Sequence, residues 1–345
     1  MKDNFTNDGC NAPVFGILRD QAAANVIMVV LGAFGVWGCG TVIFTYSVFR
    51  DFRYKSYFLL GCLAAANLVD CYGLALLGLV RLVQLITCSD PSTSPVGCFL
   101  IISNYWIGYS ASVAFDFVVA VDRLAYIYKP EYYRYKLGLK YTIVMTLMAA
   151  VPAVGIETPT FYIVPNATQM TAHLCSEGDK QIQTSAHKIS DYVNLGVVSV
   201  TAAMYLMVAY LSKRPMLNSA VSVIRKTSGG HELNYHMTQF VLMQRRVLRV
   251  SVATAMSSLF TNGLFLVIKT VLENTLTPDE LERVAPYYTL PLLANAAGSV
   301  LFAFWRDKVF RKRFICVINS WYGLRRNEIR ECKLGLSVTI LDKRF

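Results

Sequence analysis

The chain alternates long apolar runs with short polar segments. Seven runs are near or above the roughly 20 residues that one helix needs to cross the hydrocarbon core of a bilayer. They are Ala22 to Phe49, Tyr57 to Ile86, Phe99 to Tyr128, Tyr141 to Val164, Asp191 to Leu211, Val247 to Leu272 and Pro286 to Trp305. The pattern predicts an all-α membrane protein, a seven-transmembrane helix bundle over 22–305, preceded by residues 1–21 and followed by a tail over 306–345. The fifth run is short and the third contains two acids, so six or eight spans are the alternative counts. The first run is too long for a secretory signal and begins some twenty residues in, which predicts a retained span. No internal repeat is visible, and with it goes the half-to-half symmetry that many transporters carry.

The polar positions inside the runs are more telling than the apolar ones. Tyr105, Tyr109, Ser112, Asp116, Val119 and Arg123 follow one another at steps of three and four, so at about 100° per residue they share one narrow helical sector. Lipid would penalise that stripe, at no less than about 2.5 to 3.5 kcal/mol for each central charge. It is therefore expected to face the interior of a bundle. For Asp122 and Arg123 the plainer reading is a pair snorkelling at the membrane boundary. Asn67 and Asp70 in the second run, Asp116 in the third and Asn295 in the seventh are expected to form an intramembrane polar cluster; the plainer reading is packing by hydrogen bonds, and no metal is assigned.

Beyond the last run, Phe310, Phe314, Val317 and Ile318 fall on one side of a short helix with bases around them. That suits an amphipathic helix lying in the headgroup plane. Cys316 is a candidate for palmitoylation there, against the reading of an amphipathic tail without lipid.

Composition agrees with lipid as solvent. The 345 residues are 54% hydrophobic and 16% charged with mean hydropathy +0.42, against about 25% charged in an ordinary globular domain. The net charge of +11 is one-sided. With the N-terminus outside, 26 of the 33 bases and only eight acids, Asp122 included, fall in segments on the inner side or at the inner span ends, as the positive-inside rule requires. This predicts a multi-pass plasma-membrane protein with an extracellular N-terminus and a cytoplasmic C-terminus. It also excludes a nucleic-acid reader, because seven apolar helices interrupt the basic surface; anionic lipid and an acidic partner surface suit the charge better. The glycosylation triplets at Asn4 and Asn166 both fall on the outer side. Nine cysteines cannot all pair internally. Cys39, Cys62 and Cys71 lie within spans as packing residues, and Cys10 and Cys88 are candidates for one outer bridge. The four histidines are scattered and no phosphate-cradling glycine loop is present, so neither an enzyme nor a cofactor is expected.

Arg123 lies 25 residues after Cys98, Pro130 follows it by seven, and the triplet at the end of the third run reads Asp122-Arg123-Leu124. This spacing resembles the rhodopsin-like (class A) G-protein-coupled receptors. The run "VDRLA", followed by a loop proline and Tyr-Arg, is also similar to nematode serpentine chemoreceptors, especially the SX class. The resemblance implies an external ligand and a heterotrimeric G protein as partners. It makes Asp122, Arg123 and Pro130 the coupling switch, and it pairs Cys98 with Cys175. Arg245, Arg246 and Arg249, at the start of the sixth span, carry charge suited to an acidic partner surface.

Other family markers are missing. The first run has "GCG", the fourth lacks its tryptophan, the fifth its proline, the sixth reads "LFTNGLF", and the seventh ends "NAAGSVLFAF". Amine receptors carry an aspartate where Tyr105 stands, and the seventh run has no lysine for retinal, so both ligands are disfavoured. Tyr105, Trp106, Tyr109, Ser112 and Tyr288, with Tyr287, are the candidate ligand-binding residues for a small, partly apolar molecule. The competing reading places Trp106, Tyr287 and Tyr288 at the membrane interface. A neuropeptide receptor, using outer acids such as Asp90, Glu177, Asp179, Asp279, Glu280 and Glu282, is the first alternative function. A transporter or channel using Asp70 and Asp116 is the second.

Overall fold

The computed structural model describes residues 13–49, 52, 55–88, 95–129, 132–133, 138–163, 185–212 and 231–321. Regular structure among them is helical: α1 (Pro13–Asp20), α2 (Ala22–Val48), α3 (Lys55–Thr87), α4 (Pro95–Tyr128), α5 (Leu139–Ile163), α6 (Ser185–Ser212), α7 (His231–Thr275), α8 (Pro278–Arg306) and α9 (Lys308–Trp321). Each of the seven apolar runs falls on one helix from α2 to α8. Helices are the form an apolar run must take in lipid, where no water is present to satisfy backbone N–H and C=O groups.

Two helices run well past the apolar stretch that announced them. α7 begins at His231 rather than near Val247, because hydropathy registers only its lipid-depth portion. α8 begins at Pro278 rather than Pro286 because of its cap. Thr277 accepts the Glu280 backbone N–H at 3.4 Å, while the Glu280 carboxylate accepts the Thr277 N–H at 2.9 Å. This is a capping box with proline in the first turn, and it satisfies donors that a helix start otherwise leaves orphaned.

Segments Ala22–Val48, Lys55–Thr87, Ile189–Leu211, Val247–Thr275 and Arg283–Arg306 are long and apolar enough to cross a membrane, and α5 adds the shorter Lys140–Gly155. α4, with its polar stripe, completes the seven-helix bundle. α2 packs on α3, α3 on α4, and α7 on α8, which returns to α2; α4 also touches α5, α6 and α7 and so stands at the centre. The outward faces are apolar. On α5 Ile143, Val144, Leu147, Met148, Val151 and Val154 are all exposed at helical spacing, an arrangement suited to lipid and rare on a protein surrounded by water.

α3 and α4 meet almost backbone to backbone. A Cβ on Gly73 would stand 2.5 Å from the Tyr105 backbone nitrogen, and one on Gly108 would overlap the Asp70 backbone nitrogen. Small residues are what allow such an approach between membrane helices.

α9 forms as the amphipathic helix expected after the last span. Phe310, Phe314 and Val317 do share one face, but that face is buried in protein. Phe310 stacks with Tyr46 and Phe52 at centroid distances of 5.6 and 6.3 Å, and Phe314 meets Trp37 at 6.0 Å. Asp307 caps the helix, accepting the backbone N–H groups of Val309 and Phe310, and also accepts the Tyr57 hydroxyl at 3.2 Å. An apolar stripe records that a helix needs cover; it does not record whether lipid or protein supplies it.

Candidate functional site

Three polar constellations lie along α4, and all six residues of its predicted sector are buried. The first is at the α9 end of the bundle. Asp122 and Arg123 are both fully buried and ion-paired through Oδ2 and Nη2, so the snorkelling reading does not hold. Tyr133, in the segment after α4, donates its hydroxyl to Asp122 at 2.8 Å to Oδ1 and 2.9 Å to Oδ2. The same hydroxyl stands 2.9 Å from Ser56 Oγ on α3. Lys55 donates to the Tyr133 carbonyl and lies 3.6 Å from the centre of its ring. On the opposite side, Arg123 Nη1 donates to Gln244 Oε1 of α7 at 3.2 Å.

Tyr133 is therefore the clamp on the acid and Gln244 the tie on the base. Burial pushes the Tyr133 hydroxyl well above the usual phenol range; Arg123 opposes the shift and Asp122 reinforces it. It remains a hydrogen-bond donor at physiological pH. A buried ion pair adds little net stability but is costly to leave with one partner, so this pair changes partners more readily than it loses them.

The second constellation lies at mid-depth. The expected cluster of four divides. Ser112 donates to Asn67 Oδ1 at 2.7 Å. Asp116 instead accepts from Ser258 of α7, whose Oγ also receives Asn262 at 2.9 Å and Asn295 at 3.5 Å. Asp70 stays apart beside Gly108, its Oδ1 making no hydrogen bond among the described residues. Among the described residues, no group of three potential metal ligands forms.

The third constellation is at the α1 end. Tyr105, Trp106 and Tyr109 line a cavity with Ser110, Ser190, Asp191, Asn194, Phe265 and Lys269, and its interior of about 10 Å³ has room for about one water. Lys269 Nζ pairs with Asp191 Oδ2 at 2.9 Å. Asn194 donates to Ser110 at 3.3 Å. The Tyr109 and Phe265 rings meet edge to face at 5.4 Å, with Tyr288 at 6.0 Å from Phe265. Three ligand candidates fall outside the lining, Tyr288 among them behind Phe265. Ser112 is engaged with Asn67, a level away from the cavity lining. Tyr287 is 47% exposed and donates to the Asp20 carbonyl at 2.8 Å, because its neighbour Tyr288 takes the inward face of α8.

Arg249 is exposed on α7. Asn4, Pro130, Asn166 and Cys175, together with the side chains of Cys98, Arg245 and Arg246, lie outside the described residues. Cys88 and Cys316 are each disulfide-bonded. Sequence reasoning missed Gln244, Tyr133, Ser258, Asn262 and the Asp191–Lys269 pair. A signal existed for Lys269, a lone base deep in an apolar run, since intramembrane charges are functional suspects. No local signal marked Gln244 or Tyr133.

A seven-helix bundle with a buried acid–base pair at one end and an aromatic cavity at the other is the architecture of the rhodopsin-like receptors. The crystal structure of squid rhodopsin superposes with a TM-score of 0.66, covering 94% of this chain and 91% of that one at 12% identity. The family model for the serpentine type 7TM GPCR chemoreceptor Srsx matches residues 32–318, and the chain belongs to that family. The resemblance read from the Asp122-Arg123-Leu124 region is thus correct to the level of the chemoreceptor class. No curated protein matches the sequence.

Proposed function

We propose that this chemoreceptor lies in the plasma membrane with its N-terminus outside, binds a small extracellular molecule at the α1 end, and activates a heterotrimeric G protein at the α9 end. The one-sided charge supports the orientation, since the bases cluster in the segments at the α9 end. The observation that carries the reading is the Arg123–Gln244 hydrogen bond, which ties α4 to α7 and is broken when the two helices part. A ligand that binds better to the parted state shifts the population toward it. The freed guanidinium and the bases at Arg245, Arg246 and Arg249 then face the G protein. Aromatic walls at Tyr105, Trp106, Tyr109 and Phe265 support a small ligand with an apolar part.

The transporter reading draws less support, because Asp116 is held by Ser258, which Asn262 and Asn295 hold in turn, rather than strung along a path. The test is Arg123→Ala in cells with G-protein activation as readout. Normal surface delivery with loss of activation is expected; unchanged activation from a well-delivered variant would overturn the coupling role.

A further inference from the structure

We infer that the cavity at the α1 end recognises a small neutral molecule through a carbonyl oxygen, which accepts the Tyr109 hydroxyl while an apolar body lies against the neighbouring rings. The inference rests on the receptor reading above and narrows its ligand.

Most polar side chains of the lining already have partners. Asn194 donates to Ser110 at 3.3 Å and to Ser190 at 3.5 Å, and Lys269 pairs with Asp191 at 2.9 Å. Trp106 is engaged too. The Tyr109 hydroxyl is not: it is buried and makes no hydrogen bond among the described residues. Of the charged groups, Asp191 and then Lys269 act on it most strongly, and both line the cavity, so the hydroxyl stands on the cavity side. Its ring is held edge to face on Phe265 at 5.4 Å. Leaving a buried donor without an acceptor costs more than a made hydrogen bond contributes, so this group is the unmet demand of the lining.

That demand selects the chemistry of the ligand. The hydroxyl can donate or accept, and a carbonyl oxygen, which only accepts, satisfies it without bringing a further donor to be paired. A ligand hydroxyl would bring one. Charge is disfavoured for a separate reason. Lys269 and Asp191 hold each other and are further engaged, so an ammonium or a carboxylate would leave its hydration for a site with no counter-charge waiting.

The space sets the size. The enclosed interior, with room for about one water, suits a single oxygen atom. The free space around the lining, its open side included, is about 220 Å³, below the roughly 300 to 1,000 Å³ of sites for drug-sized ligands. The body is therefore small, and the rings of Tyr105, Trp106 and Phe265 give it an apolar seat. Tyr109 belongs to α4 and Phe265 to α7, the two helices that Arg123 and Gln244 tie toward the α9 end. A ligand bonded to the first and pressed on the second bears on that tie.

The test uses the purified full-length receptor in lipid nanodiscs and matched pairs of probes. Acetophenone is set against isopropenylbenzene, and cyclohexanone against methylenecyclohexane, so that only C=O is exchanged for C=CH2; benzylamine and benzoate supply charge. Shifts of the thermal midpoint with probe concentration give apparent affinities. At least one ketone is expected to bind about tenfold or more tightly than its hydrocarbon and than either ion. Tyr109→Phe keeps the ring and should abolish that preference while leaving the affinity for the hydrocarbon unchanged. Without ligand, the same variant should melt no lower than the native receptor, because it loses only an unpartnered hydroxyl. No stabilisation by either ketone, a hydrocarbon or ion that binds as well, a preference that survives in Tyr109→Phe, or a lowered midpoint of that variant without ligand would overturn the assignment. G-protein activation measured in parallel separates the two readings. Ketone binding without activation keeps the ligand class and defeats the receptor reading, whereas activation by an ion or a hydrocarbon alone keeps the receptor reading and defeats the class.

Discussion

Arg123 reaches two helices at once: Nη2 holds Asp122 on its own helix, and Nη1 donates to Gln244 of α7 at 3.2 Å. In the proposed mechanism the second bond is the one that opening of the bundle breaks. A hydrogen bond to a charged group contributes about 1.5 to 3 kcal/mol, on the order of a ten- to hundredfold bias toward the closed arrangement.

Gln244→Ala should accordingly raise basal G-protein activation in the absence of ligand, by roughly tenfold or more where the closed state dominates. Basal nucleotide exchange in membranes carrying matched amounts of receptor measures it. Unchanged or lower basal exchange would show that the tie does not restrain α7.

Tyr133→Phe removes the hydroxyl that clamps Asp122. The expected result is a less stable receptor with raised basal activation, since Asp122 then holds Arg123 less firmly. A double-mutant cycle with Asp122→Asn isolates the contact. If the two substitutions simply add, Tyr133 acts through something other than the carboxylate.

Gly73→Ala places a methyl group 2.5 Å from the Tyr105 backbone nitrogen, and backbone cannot turn aside as a flexible side chain can. Overpacking costs about 1 to 3 kcal/mol, so poor surface delivery and a lower thermal midpoint are expected. Gly155→Ala on α5 meets nothing within 4 Å and should behave as the native receptor does. Equal tolerance of both changes would contradict the close approach of α3 and α4.

Glu280 gives a pH dependence confined to the start of α8. The Thr277 backbone N–H, then its hydroxyl, hold the carboxyl below the usual glutamate range. A depressed folded-state pKa supports the fold above the unfolded value, and that support is lost as pH falls through the folded one. Amide exchange in the first turn of α8, corrected for its intrinsic rate, should therefore quicken on acidification below the ordinary glutamate range. Glu280→Gln can keep the capping box without titrating and should flatten the profile. Persistence of the acid response in that variant would assign it to another group.

The sequence by itself determined the seven spans, the inward-facing sector of α4 from Tyr105 to Arg123, and the apolar face of α9. Each follows from a local demand: lipid requires a run of apolar residues, a helix repeats every 3.6 residues, and a polar stripe must turn away from hydrocarbon. Helix ends were less legible, because a cap such as Thr277–Glu280 overrides hydropathy. What only the tertiary structure decided is which polar group meets which. Gln244 is 121 residues from Arg123 and Ser258 is 142 from Asp116, and nothing local to either member marks its partner. The same holds for Phe310 and Phe314, whose need for burial is written in α9 but whose cover, the aromatic rings of α2 and Phe52, comes from helix packing. Composition and period state that a group must be buried, paired or exposed; only the packed bundle, by bringing distant segments within bonding distance, selects the group that answers.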